Sequence, residues 1–163
     1  MRRRLVLASL LAVAVLGAGA AIGRVSSAPL LVVRNPSPSM PTGWYLRVPL
    51  EPTVGRIVVI DPPLGALAAG WPADVRLIKP IAAVGGDHVC VAGRTDVLVN
   101  GQPVAPVPPY PAPHWDGCRT LDPNELFLIA PHHPDSVDGR IYGPVHRRDV
   151  LGVFVPLWTE ALQ

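Results

Sequence analysis

The chain of 163 residues is long enough for one domain with a sizeable hydrophobic core. Its 21 prolines and 15 glycines exclude a helical bundle and favour short strands joined by turns, so we expect a mainly β domain. The chain has fourteen basic and twelve acidic residues, and three of the basic ones are Arg2, Arg3 and Arg4. The rest of the chain is close to neutral and shows no basic face that would suggest nucleic-acid binding, so no nucleic-acid partner is expected.

An apolar segment over residues 5–23 follows these arginines. Its 19 residues are close to the ~20 that cross a bilayer as one helix. Positive charge in front of such a segment predicts a cytoplasmic N-terminus and a body outside the cytoplasm. We therefore expect residues 1–24 to be a cytoplasmic basic tip and a single transmembrane helix in the inner (cytoplasmic) membrane, with the lipid bilayer as a partner. The alternative is a secretory signal cleaved near Ser26-Ser27-Ala28, but the segment exceeds the usual ~7–15 apolar residues.

The remainder divides into a linker with a lead-in strand, residues 25–34, and an extracytoplasmic domain on the periplasmic side, residues 35–163. Runs rich in β-branched and aromatic residues predict strands in this domain and its lead-in. These runs are residues 30–34, 43–48, 56–60, 126–130 and 150–155. Residues 64–71 are weakly helical, but two glycines leave a loop equally open.

Turn and loop residues separate the predicted strands in the middle of the chain. The apolar run over residues 74–84 ends in Gly85-Gly86-Asp87, and residues 88–91 are expected to be the returning strand. Asn100-Gly101 between two short runs predicts a hairpin with a type I′ turn. Residues 105–113 hold five prolines and predict an extended surface loop.

A rigid serine lies beyond the apolar segment. Residues 36–41 contain three prolines and two serines, Ser37 and Ser39. Proline fixes φ and restricts the preceding residue, so Ser39 has little backbone freedom. A fixed serine suits a nucleophile, but it needs a base to activate it.

Lys79 is the only lysine in the chain, against thirteen arginines. A lysine can lose its proton near neutral pH when it is desolvated, whereas an arginine effectively cannot. Among Leu77, Ile78 and Ile81 the pKa of Lys79 should fall by about 3 units or more, which would make it a general base. The alternative is an ordinary strand lysine whose ammonium reaches water.

A third segment, residues 135–144, contains Ser136, Asp138 and Arg140. Ser136 could hold the lysine amine by a hydrogen bond, and Asp138 with Arg140 could form a salt bridge that pins the turn. The alternative is a simple surface turn, which Asp, Ser and Gly favour.

Cys90 and Cys118 are the only cysteines. Outside the cytoplasm a pair of cysteines is more often a disulfide than a metal site. A bridge would add about 3–4 kcal/mol on the chain-entropy argument. The alternative is that both are buried free thiols, because the sequence does not reveal whether the two cysteines are paired.

Together the three segments resemble the type I signal peptidase family of Ser/Lys serine peptidases, whose fold is an antiparallel β catalytic domain. The resemblance implies that Ser39 is the nucleophile, that Lys79 is its general base, and that Ser37 supplies an oxyanion-hole hydroxyl. It further implies that Ser136 orients Lys79, that Asp138 and Arg140 support it, and that Met40 contacts substrate. The substrate would be a pre-protein, and no cofactor or metal is expected.

Residues 40–45 are more similar to the conjugative-transfer (TraF-type) maturation peptidases than to the housekeeping enzyme. That similarity implies a pilin precursor as substrate and a role in conjugation. Three residues depart from the family pattern: Arg56 stands where an acid is usual, Gly85 where proline is usual, and Gly139 where the housekeeping enzymes carry serine.

Three other functions compete with this interpretation. A Ser-His-Asp hydrolase could use His132 or His133 with Asp135, although no nucleophile elbow is present. A metal site could use histidines, although their spacing fits no known zinc motif; the candidates are His114, His132, His133 and His146. The last alternative is a membrane-tethered β domain that binds partners during envelope or secretion-system assembly without catalysis.

Overall fold

A computed structural model describes residues 29–91, 95–107 and 115–160. Within these ranges the chain forms eleven strands, two short helices and one 3-10 turn. The strands are β1 (Val32–Asn35), β2 (Gly43–Val48), β3 (Ile57–Ile60), β4 (Leu77–Val84), β5 (His88–Cys90), β6 (Asp96–Val99), β7 (Gln102–Pro106), β8 (Cys118–Thr120), β9 (Glu125–Leu128), β10 (Val145–His146) and β11 (Val150–Thr159). The helices are α1 (Leu64–Ala68) and α2 (Gly139–Tyr142), and the 3-10 turn is Arg147–Asp149.

The strands form two antiparallel sheets, which confirms the predicted mainly β class. The larger sheet has the order β1-β2-β11-β3-β4-β9-β10, and the smaller one has the order β7-β6-β5-β8. The last strand, β11, lies between β2 and β3 and pairs with both. The early strands β1 and β2 and the last strand β11 are thereby held in one sheet with β3 and β4.

The larger sheet is covered on both faces. Val58 and Val59 are neighbours in β3 and point to opposite faces, yet both are fully buried. Val58 belongs to a core cluster with Leu77 and Leu126, whereas Val59 belongs to a second cluster with Tyr45. Burial on both faces explains why these strands are continuous apolar runs in the sequence.

The strand β4 carries the chain from one sheet to the other. It pairs with β3 and β9, and its register with β9 shifts between Ile81 and Ala83. The predicted return of residues 88–91 along β4 is wrong, because β5 pairs with β6 and β8. At the crossing a Cβ on Gly85 would lie 2.6 Å from the Cα of Pro123, so the proline usual in the resembled family would not fit here.

The turn residues in the sequence predicted one hairpin correctly and placed the start of one loop too early. The β6–β7 hairpin has Asn100 and Gly101 at φ 51° and 79°, as a type I′ turn requires. The predicted loop over residues 105–113 begins too early, because β7 runs to Pro106 and Ala105 is buried. Residues 108–113 lie outside the described residues. Residues 64–71, which the sequence left open, form α1 followed by a turn.

The predicted transmembrane segment, residues 5–23, lies outside the described residues. Among the residues that are described, no helix combines the length and apolar character needed to cross a membrane.

Candidate active site

Asn35 organises the loop that carries both serines of the first segment. Its side-chain Nδ2 donates to the carbonyl oxygens of Ser37 at 2.9 Å, Met40 at 3.0 Å and Pro41 at 3.1 Å. Its Oδ1 accepts from the backbone N–H of Ser37 at 3.1 Å. The prolines therefore do not hold this loop alone, and reasoning from the sequence missed Asn35. The available signal was an asparagine directly before a proline, because asparagine side chains in turns commonly hydrogen-bond to the backbone two residues further along.

Replacing Asn35 with alanine is expected to lower activity more than stability. The half-buried loop residues would lose the donor that the buried Asn35 supplies to their carbonyls, which costs roughly 1–3 kcal/mol. The position of Ser39 would then relax, and a shift of about 1 Å can cost roughly 100-fold in rate. Denaturant unfolding and cleavage of a precursor measure the two effects. The control is Asn124→Ala, at an exposed asparagine, and equal losses in both variants would contradict the role of Asn35.

The two serine hydroxyls lie side by side. The Oγ atoms of Ser37 and Ser39 are 3.1 Å apart, within hydrogen-bond distance. The backbone N–H of Ser39 points to the Oγ of Ser37 over a long 3.4 Å. Two potential donors, one hydroxyl and one amide, therefore lie beside the Ser39 hydroxyl.

Lys79 reaches Ser39 from the middle of β4. Its Nζ donates to the Oγ of Ser39 at 2.6 Å, and both side chains are buried, with Lys79 only 2% exposed. The strand places Lys79 on the same face as Leu77 and Ile81, which are fully buried. A residue forty positions away in the sequence is thus the direct partner of Ser39.

Burial lowers the pKa of Lys79 from its ordinary 10.5 to about 8. Loss of solvent is the main cause, and the Arg140 guanidinium lowers the pKa further. The Asp138 carboxylate acts in the opposite direction and raises it. The direction of the pKa change is as predicted, and burial is its main cause.

Asp138 and Arg140 form a buried ion pair with every partner inside the protein. The guanidinium contacts both carboxylate oxygens, at 2.9 Å from Nε and 2.7 Å from Nη2, and both side chains are fully buried. It also donates to the backbone carbonyls of Pro106, Ala130 and His133. The carboxylate accepts from the backbone N–H groups of Ala130 and Arg140. The segment is therefore no surface turn, because the pair ties β7 and the end of β9 to α2.

Gly139 separates the two charged residues and has no room for a side chain. A Cβ there would lie 2.8 Å from the carbonyl oxygen of Leu128 and 2.9 Å from the ring of Phe127. The serine that the housekeeping enzymes carry at this position would not fit without movement of the backbone.

Ser136 does not make the hydrogen bond that was predicted for it. Its hydroxyl is buried and has no hydrogen-bond partner among the described residues, and the bond from Lys79 goes to Ser39. The backbone N–H of Ser136 donates to the carbonyl of His133. This bond holds the backbone of the loop but does not orient the Ser136 side chain. The prediction that Ser136 contacts the amine is therefore not supported by this structure.

The competing histidine sites do not assemble in the described part of the chain. Ser39 bonds to Ser37 and Lys79, while His132 is exposed and the Nδ1 of His146 accepts from Arg148. No group of three or more potential metal ligands occurs among the described residues, and His114 lies outside them.

Cys90 and Cys118 are joined in a disulfide. They face each other in the register of β5 and β8, so the bridge links two neighbouring strands of the smaller sheet. The bridge belongs to the smaller sheet, whereas Lys79 lies on β4 of the larger one.

The residues that follow Ser39 divide between core and surface. Met40 is half-buried, and its carbonyl accepts from Asn35. Tyr45 is fully buried, and its hydroxyl donates to the carbonyl of Pro41 at 2.7 Å, so it belongs to the scaffold of the loop. Trp44 points the other way and is 44% exposed.

The site therefore combines a serine hydroxyl, an adjacent amine of lowered pKa, and two donors beside the hydroxyl. Those are the parts that acyl transfer through a serine needs. The chain belongs to the signal peptidase family, because the family described as "Signal peptidase, peptidase S26" matches residues 2–158. It is accordingly a peptidase of that family.

Proteins similar to this chain include a plasmid transfer protein and a solved signal peptidase. The plasmid transfer protein TraF of Escherichia coli is 27% identical over 168 residues, an alignment that covers 88% of this chain and 93% of TraF. A solved signal peptidase I from Enterococcus faecalis is 19% identical, with a TM-score of 0.42, over 64% of this chain and 97% of that one. The predicted family, with similarity to TraF, is confirmed.

Proposed function

We propose that this protein is a membrane-bound serine endopeptidase in which Ser39 and Lys79 form the catalytic dyad. The observation that carries the proposal is the 2.6 Å contact between the Nζ of Lys79 and the Oγ of Ser39, in a site that lowers the pKa of the amine to about 8. A neutral amine accepts the hydroxyl proton, which the protonated amine cannot do.

The reaction follows from these positions. The Oγ of Ser39 attacks the scissile carbonyl carbon while its proton passes to the Nζ of Lys79. The oxyanion receives hydrogen bonds from the Ser37 hydroxyl and the Ser39 backbone N–H, each worth roughly 3 kcal/mol in related chemistry. Protonated Lys79 then gives its proton to the leaving amine, the C–N bond breaks, and an acyl-enzyme remains. Water, or an amine of the substrate, attacks the ester and releases the product with return of the proton to Ser39.

The substrate we propose is a secreted or pilin precursor in conjugative transfer. The similarity to the plasmid transfer protein TraF supports the conjugative context. The apolar segment over residues 5–23 supports a single-pass anchor in the inner membrane, with the domain on the periplasmic side.

The pH dependence of cleavage tests the proposed base. Because neutral Lys79 is the reactive form, kcat/KM is expected to rise with pH and to level off above about 8. At pH 6 only about one hundredth of the amine would be neutral, so the rate should be about 1% of the plateau. The measurement is kcat/KM on a precursor peptide between pH 5 and 10. A profile that stays flat down to pH 5 would contradict a lysine base.

A further inference from the structure

A second site lies at the end of the larger sheet away from the serine loop. It is a cavity of about 870 Å³ formed by the end of β2, the segment leading to β3, and β11. Its lining includes Leu31, Arg47, Leu50, Glu51 and Arg56. Neither Ser39 nor Lys79 belongs to this lining.

Two arginines of the cavity have no anionic partner. Arg47 and Arg56 make no side-chain hydrogen bond or ion pair within the described residues, whereas nearby Arg147 donates to the carbonyl of Pro52. Arg47 lies across Gly152 of β11, where an added Cβ would be 3.0 Å from its Cδ. The absence of a side chain at Gly152 therefore leaves room for this guanidinium. Two guanidiniums that line one cavity and have no ion-pair partner among the described residues are suited to a phosphate.

Part of the cavity lining is apolar and exposed. Leu31 and Leu50 are exposed by 62% and 45% of their surface. Glu51 is also exposed, and its carboxylate lies 3.9 Å from Arg147. A ligand that satisfies both features has an anionic group for the arginines and a hydrocarbon part for the exposed leucines.

The position in the chain identifies such a ligand. Leu31 lies eight residues after Gly23, the end of the apolar segment that we assign to the membrane. The cavity would therefore lie near the bilayer surface, where anionic phospholipids combine a phosphodiester with acyl chains. We propose that Arg47 and Arg56 bind the headgroup phosphate of an anionic phospholipid whose chains contact Leu31 and Leu50. This proposal rests on the membrane placement above but not on the Ser39–Lys79 chemistry.

An acidic peptide is a poorer match for the same cavity. Extended peptides commonly bind by adding a strand to a free sheet edge. Here β2 is already paired with β1 and β11, and β11 is paired with β2 and β3. The lining residues of β2 and β11 therefore offer no free edge; the edge strand of this sheet beside β2 is β1, which follows Leu31.

Native mass spectrometry of the full chain in a zwitterionic detergent tests the site. We expect phosphatidylglycerol to bind more tightly than phosphatidylcholine. In the double variant Arg47→Gln/Arg56→Gln the affinity for phosphatidylglycerol should fall roughly 25-fold, since each basic side chain near an anionic headgroup contributes about fivefold. The matched control is Arg76→Gln/Arg148→Gln, which removes the same charge from arginines that lie near Asp61 and Asp149, and it should bind as the wild type does.

Three outcomes would overturn the proposal. Equal binding of phosphatidylglycerol by the double variant would show that the cavity is not the site. Displacement of the lipid by inorganic phosphate at equal concentration would indicate a site for a free anion, and displacement by a polyglutamate peptide would indicate protein docking. Binding by Ser39→Ala at wild-type affinity is expected, so a failure of the catalytic proposal would leave this result unchanged.

Discussion

Replacing Ser39 with alanine is expected to abolish cleavage of a precursor, with a loss of at least about 10³-fold in kcat/KM. Replacing Lys79 with arginine should cost about 10²–10⁴-fold, because a guanidinium stays protonated and cannot accept the hydroxyl proton. Both losses follow from the direct contact between the two side chains. The measurement is precursor cleavage by the full chain reconstituted in membranes.

Stability measurements separate this loss from unfolding. At pH 7 a buried Lys79 is mostly protonated, and its lowered pKa costs about 3 kcal/mol relative to the unfolded chain. Lys79→Met should therefore be inactive and yet more stable than the wild type at pH 7. Its advantage should shrink between pH 8 and 10.5, where the folded protein has already released the proton that the unfolded chain still holds.

The contrary results have distinct meanings. Full activity of Lys79→Arg would exclude the lysine as general base. Full biological function of a folded Ser39→Ala variant would favour the alternative of a non-catalytic membrane-tethered domain. Activity that depends on one histidine would favour a Ser-His-Asp mechanism instead.

Replacing Asp138 with alanine is expected to destabilise the fold strongly. It would leave the Arg140 guanidinium fully buried without a carboxylate. Removing one partner of such a pair costs about 3–5 kcal/mol, because the remaining charge is uncompensated. Denaturant unfolding measures the loss. The control is Asp61→Asn at an exposed ion pair with Arg76, where less than about 1 kcal/mol is expected.

The milder variant Asp138→Asn links this pair to the dyad. The carboxylate raises the pKa of Lys79, so its removal should lower that pKa and move the midpoint of the pH–activity profile to lower pH. A purely structural role would reduce activity without moving the midpoint. An unchanged midpoint in a folded Asp138→Asn variant would therefore contradict electrostatic coupling to Lys79.

Local chemistry in the sequence was sufficient for several features. Asn100-Gly101 specifies its own hairpin, because both residues must adopt positive φ. The strands β2, β3 and β9 follow from apolar runs bounded by turn residues. Lys79 stood out as a single lysine among apolar neighbours, and its burial and lowered pKa agree with that composition.

Other features depend on contacts that no local pattern contains. The sequence did not indicate that β5 leaves β4 to join the smaller sheet, nor that Gly85 and Gly139 meet neighbouring chain so closely. It also suggested a partner for Ser136 that the fold does not provide. Strand partners and backbone approaches of this kind depend on segments far apart in the chain, so periodicity within one segment cannot encode them.

The sequence by itself determined the parts of the site: a proline-framed serine pair, one lysine in an apolar strand, and an acid–arginine pair. Only the tertiary structure decided how they meet. Pairing of β1, β2, β11, β3 and β4 in one sheet brings Ser39 and Lys79 to 2.6 Å across forty residues. The lysine also becomes a base only in the folded chain. Burial lowers the pKa of its amine, and Lys79 is buried only when both faces of that sheet are covered.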